Sequence, residues 1–127
     1  MNNSALFTLS GEISNNATWS EDIYFLDSGA GMILTGLSFQ LQFRAIPTNA
    51  HEPNSAAYLT LSTATGELVI TNDDNSQATI LRIGVPYTTI SNMNGEFQAD
   101  LVSKDVANTL THWASGVVTF SQSPIAF

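Results

Sequence analysis

The run Leu37-Ser38-Phe39-Gln40-Leu41-Gln42-Phe43-Arg44 constrains this chain more than any other part of it. Apolar and polar residues alternate through it without a break. Leu37, Phe39, Leu41 and Phe43 therefore fall on one face of an extended strand, and Ser38, Gln40, Gln42 and Arg44 on the other. Burying each of those apolar side chains contributes roughly 1.5–3 kcal/mol before entropy is subtracted. The segment is predicted to be a half-buried strand with its apolar row on a core.

Other strands are predicted at short intervals. Residues 6–10 alternate, and residues 17–26 carry Trp19, Ile23, Tyr24 and Phe25. Residues 58–62 and 67–71 flank Thr63-Ala64-Thr65-Gly66, which reads as a hairpin with Gly66 free to take positive φ. A polar turn at 71–76 leads into residues 78–85, and Pro86 stops that strand. Asn92-Met93-Asn94-Gly95 is a second turn, followed by a strand at 96–102. Residues 104–113 read as a strand or a short helical turn, and the threonines flanking Leu110 favour the strand. A last strand is expected at 116–121, with loops at 29–31 and 49–55. About eight short strands separated by turn signals predict an all-β fold, an antiparallel β-sandwich of immunoglobulin-like or jelly-roll-like type. A chain of 127 residues is expected to form one domain over 1–127.

Charge excludes several partners. Lysine and arginine together number 3 against 11 acids, for a net charge of −8. The cations are Arg44, Arg82 and Lys104. Nucleic-acid binding needs many phosphate-neutralising side chains, and an anionic membrane needs the same, so neither partner is expected. Charged residues make up only 11% of the chain, so its polar surface must come from Asn, Ser, Thr and Gln. There is no cysteine, hence no disulfide, thiolate ligand or cysteine nucleophile. Residues 1–7 lack a basic region and a long apolar run, so no signal peptide is expected, and folding in a cytoplasm is the default.

The motifs that suggest chemistry each have a plainer reading. Gly29-Ala30-Gly31 lacks the third glycine of a dinucleotide fingerprint and reads as a loop. Asp73-Asp74-Asn75 lacks the glycine and distant glutamate of a calcium loop and reads as an Asx turn. His51 and His112 have no ligand-spaced partners for zinc. There is no Gly-x-Ser-x-Gly elbow. Glu12, Glu21, Asp22, Asp27, Glu96 and Asp100 read as solvated strand faces rather than a catalytic pair. Trp19, Trp113, Tyr24, Tyr58 and Tyr87 read as core rather than a sugar-stacking row. Two Asn-x-Ser/Thr matches, at Asn2 and Asn16, read as chance in an Asn-rich chain. No catalytic residue, metal ligand or cofactor is expected, and the chain is not expected to be an enzyme. The apolar ending Ile125-Ala126-Phe127 follows Pro124, and Ile125 and Phe127 are the candidate partner-binding residues.

One ordered set of segments resembles a known type. Leu34-Thr35-Gly36-Leu37-Ser38-Phe39 opens the strand that ends in Arg44; Tyr58 to Ser62 and Gly66 to Ile70 follow, then Leu81 to Pro86, Gly95-Glu96-Phe97-Gln98-Ala99-Asp100-Leu101, and Gly116-Val117-Val118. This order is similar to that of small β-sandwich modules of phage and prophage tails, of the upper-baseplate and tail-fibre-associated kind. The resemblance implies a non-enzymatic virion structural protein, assembled in the host cytoplasm, that docks on other virion proteins and forms a homo-oligomer in the assembly. The alternatives are a capsid decoration protein and a carbohydrate-binding module for host adsorption. The ending at 122–127 differs from the family's Thr-Arg tail, which implies a free-standing subunit.

Overall fold

A computed structural model describes residues 7–15, 17–27, 30–45 and 58–121. Its strands are β1 (Phe7–Ser14), β2 (Trp19–Tyr24), β3 (Leu26–Asp27), β4 (Ala30–Gly31), β5 (Ser38–Ala45), β6 (Leu59–Ser62), β7 (Leu68–Asn72), β8 (Ala78–Val85), β9 (Gly95–Lys104) and β10 (Leu110–Ser121), with one short helix, α1 (Tyr87–Ile90). Five strands form one sheet in the order β1-β10-β9-β5-β6, three form another in the order β2-β8-β7, and β3 pairs with β4. The fold is an all-β sandwich. Every ladder is antiparallel except β1–β10, in which Phe7 stands opposite Ala114 and Ser14 opposite Ser121 in parallel. Three strands facing a five-stranded sheet, with first and last strands side by side, is the strand order of an immunoglobulin-like sandwich.

The alternation at 37–44 is realised as expected. Phe39, Leu41 and Phe43 are buried in the core, and Leu37 packs against it half-buried. Without a disulfide, the sheets are joined by rings. Trp19, Phe43, Phe97 and Phe120 form one cluster, with Phe43 and Phe120 edge-on at 5.3 Å. Phe25, Phe39 and Trp113 form a second, with Phe25 and Trp113 edge-on at 5.1 Å. Such pairs contribute about 0.5–1.5 kcal/mol each beyond the area they bury. The strand predicted at 17–26 breaks at Phe25, whose side chain turns into this second cluster.

Two expectations are corrected. Residues 58–62 and 67–71 are not a hairpin, because β6 pairs with β5 while β7 pairs with β8 in the other sheet. The turn between them is an arch over the edge of the sandwich. Gly66 does take positive φ, at 92°. The Glu67 carboxylate braces the corner by accepting from the Ser62 N–H and the Thr65 hydroxyl, so Leu61 and Leu68 enter the core from opposite sheets. Residues 104–113 are not one strand either. β9 ends at Lys104, a turn covers 105–109, and β10 begins at Leu110 and runs unbroken to Ser121.

That turn is the same device as the one between β7 and β8. Asp73 Oδ1 accepts from the N–H groups of Asn75 (2.8 Å) and Gln77 (3.0 Å), and Asp105 Oδ1 accepts from those of Ala107 (2.9 Å) and Thr109 (2.9 Å). Ser76 and Asn108, each three residues beyond its aspartate, take positive φ of 60° and 64°. A short polar side chain tolerates that conformation better than a branched one. The loop expected at 49–55, with His51, lies outside the described residues.

Candidate functional site

The residues with the richest chemistry stand on the outer face of the five-stranded sheet. Along β5 the polar half of the alternation forms a hydrogen-bonded row: Arg44 Nη2 donates to Gln42 Oε1 at 2.6 Å, and Gln42 Nε2 donates to Gln40 Oε1 at 3.2 Å. The neighbouring strand β9 presents Gln98, Asp100, Val102 and Lys104 opposite Arg44, Gln42, Gln40 and Ser38. From β10, His112 Nε2 lies 3.0 Å from Asp100 Oδ1. Two adjoining shallow depressions share Val102 and Leu110. One reaches Ser62 and Lys104, the other Arg44, Asp100 and His112. Leu110 is 69% exposed there.

Only tertiary structure puts His112 on this face. The register slips between His112 and Ala114, so Trp113 is an extra residue with no partner on β9. A bulge of this kind changes which way successive side chains point. Trp113 turns into the core and His112 turns out to Asp100. His112 sits half-buried beside the Asp100 carboxylate.

Electrostatics make this face unlike the rest. Arg44 and Lys104 are two of the chain's three cations, and both are here. The third, Arg82, is on the other sheet, where its Nε donates to Asp22 Oδ1 at 2.9 Å across the β2–β8 ladder. Arg44 and Lys104 are six residues out of register along paired strands, about 20 Å apart. They suit an extended partner surface better than one small anion.

Of the acids considered as catalytic pairs, Glu12 and Glu21 share one opening and the others described have separate surroundings. Asp22 holds Arg82, and Asp100 meets His112. Glu96 shares the outer row of β9 with Asp100 but is four residues away, about 13 Å. Glu12 and Glu21 stand at an opening between β1 and β2. Both oxygens of Asp73 serve its turn, Oδ2 accepting from the Thr79 hydroxyl at 2.8 Å. Those donors, the Gln77 N–H foremost, hold its carboxyl below the usual aspartate range. Among the described residues no group of three or more His, Asp or Glu is gathered as a metal centre requires.

The aromatics divide as follows. Trp113 is core and Trp19 half-buried, while the tyrosines expected in the core are exposed, Tyr24 on β2, Tyr87 on α1 and Tyr58 just before β6, where it packs on Phe97 at 5.3 Å. Strands β5, β6, β9 and β10 place no aromatic ring of Phe, Tyr or Trp on the outer face of the five-stranded sheet. Ile125 and Phe127, the candidate partner-binding residues, lie outside the described residues. Neither a scan against protein-family models nor a search of curated proteins finds a match for the chain.

Proposed function

We propose that this chain is a non-enzymatic structural subunit of a phage virion, a tail or baseplate component that docks on neighbouring subunits through the outer face of its five-stranded sheet. The observation that carries the reading is the gathering of Arg44, Lys104 and the His112–Asp100 pair on that one face of an otherwise acidic protein. Its polar groups are fixed on strands, and Leu110 and Val102 add apolar contact between them. Complementary charge steers association and selects a partner more than it adds raw affinity. A face that holds two of the three cations, balanced by Asp100 and Glu96, on a chain of net charge −8 also suits head-to-tail contact with a more acidic face of another copy. The segments that carry the tail-module resemblance around Phe39, Phe97 and Val118 form β5, β9 and β10, three adjacent strands of this sheet. The lack of an aromatic row on β5, β6, β9 and β10 weighs against the carbohydrate-binding alternative.

The test is immunogold electron microscopy of gradient-purified particles. Gold on tails supports the reading. Gold on capsid shells would make the chain a decoration protein instead, and unlabelled particles would overturn a virion role. Where tails are labelled, the double variant Arg44→Glu/Lys104→Glu should fold normally yet leave them unlabelled. Full incorporation of that variant would show that another face docks.

A further inference from the structure

The sandwich is not filled between β1 and β2. A slot of about 150 Å³ opens there, walled by Trp19, Ile23, Leu41, Phe43, Ile83 and Val118, with Glu12 and Glu21 among its lining residues. Protein interiors are normally packed with few voids larger than a water molecule. An apolar cavity of about this volume is large enough for a benzene ring.

Glu21 is the unexpected member. In the β2–β8 ladder Trp19 stands opposite Val85, Glu21 opposite Ile83 and Ile23 opposite Leu81, and all three partners are buried. Directly opposed residues share a face of the sheet. Glu21 therefore shares a row of β2 with Trp19 and Ile23 but is exposed, which sets its carboxylate at the mouth of the slot rather than within it. Its outward neighbour Asp22 holds Arg82, but the carboxylates of Glu21 and Glu12 have no hydrogen-bond or ion-pair partner among the described residues. No Lys or Arg lines the slot.

We propose that this slot is a binding site for a small organic cation, a primary ammonium carried on an apolar body of about six carbon atoms. The apolar body enters between the sheets against Ile83 and Val118. The ammonium remains at the mouth, where the Glu21 carboxylate accepts its hydrogen bonds and Glu12 adds negative field. Trp19, on the same row, offers a ring face to the cation. Volume selects the size of the apolar part, and the carboxylates select its charge.

The test is a titration of the full-length protein by nuclear magnetic resonance, following the indole N–H signals of Trp19 and Trp113. Benzylammonium should shift Trp19 saturably and leave Trp113 in place. Benzyl alcohol, of the same shape without charge, should bind at least about tenfold more weakly. Phenylacetate should bind more weakly still. Glu21→Gln should bring benzylammonium to the affinity of benzyl alcohol, and an unchanged Trp113 signal in that variant checks the fold. Equal binding of the ammonium and the alcohol, an unchanged affinity in Glu21→Gln, shifts confined to Trp113, or no saturable binding would each overturn the proposal.

Discussion

The indole Nε1–H of Trp113 donates a hydrogen bond of 2.7 Å to the hydroxyl oxygen of Ser103, and both residues are buried. Ser103 is on β9 and Trp113 on β10, separated by the turn at 105–109. The bulge that frees Trp113 from a partner on β9 brings the indole inward onto Phe25 and Phe39. A buried indole N–H without an acceptor is costly, and Ser103 is the polar residue that the inner face of β9 supplies for it.

Ser103→Ala should destabilise the protein by about 1–3 kcal/mol, because the Trp113 N–H is left buried and unpaired. Adding Trp113→Phe should cost less in the Ser103→Ala background than in the wild type, since the orphaned donor is then gone. Urea denaturation of the two single variants and the double variant measures this coupling. Additive losses would show that the hydrogen bond contributes nothing of its own.

Asn15 is the polar clamp at the end of β1. Its buried amide donates to the Met93 carbonyl at 2.7 Å and to Asn94 Oδ1 at 2.9 Å. Asn15→Ala should cost about 1–3 kcal/mol. Asn15→Asp should cost more than alanine, because it sets a carboxylate against two oxygens and has no donor for either. Thermal denadaturation near neutral pH ranks the two; an aspartate variant as stable as wild type would exclude the donor role.

Acid should weaken the β7–β8 turn. The Gln77 N–H and then the Thr79 hydroxyl lower the folded pKa of Asp73 below its ordinary value of 3.8. A depressed carboxyl contributes stability that is fully present above the unfolded pKa and is lost as pH falls through the folded one. Wild type should therefore exceed Asp73→Asn in melting temperature above about pH 5, and the gap should close toward about pH 2. A gap that stays constant with pH would mean that the charge is irrelevant. Glu67, lowered chiefly by the Thr65 hydroxyl, should behave in the same direction.

Gly31 on β4 meets Thr79 closely. A Cβ added there would stand 2.7 Å from Thr79 Cγ2 and 3.3 Å from its Cβ. Thr79 is buried and held by its hydroxyl on Asp73, so it cannot simply rotate away. Gly31→Ala should cost about 1–3 kcal/mol through overpacking. Thr79→Ser removes the obstructing methyl and keeps the hydroxyl, so the double variant should recover part of the loss. Differential scanning calorimetry on the four proteins decides; no recovery in the double variant would place the strain elsewhere.

By itself the sequence determined what depends on near neighbours. The alternation around Phe39 and Leu41 set β5 and its buried face, residues 78–85 are β8, Pro86 ends that strand, and Gly66 takes the positive φ its turn needs. Each follows from the period of a strand or the backbone limits of one residue, both local properties. The candidate face was half legible, since Gln40, Gln42 and Arg44 are the polar half of the β5 pattern. Tertiary structure alone decided the rest. It sent β6 and β7 to different sheets, set β1 parallel to β10, placed the bulge that separates Trp113 from His112, and brought the exposed Glu21 beside Glu12 at one opening. Those outcomes depend on which strands pair and in what register. That is settled by contacts between residues far apart in the chain, whose free energies no local pattern contains.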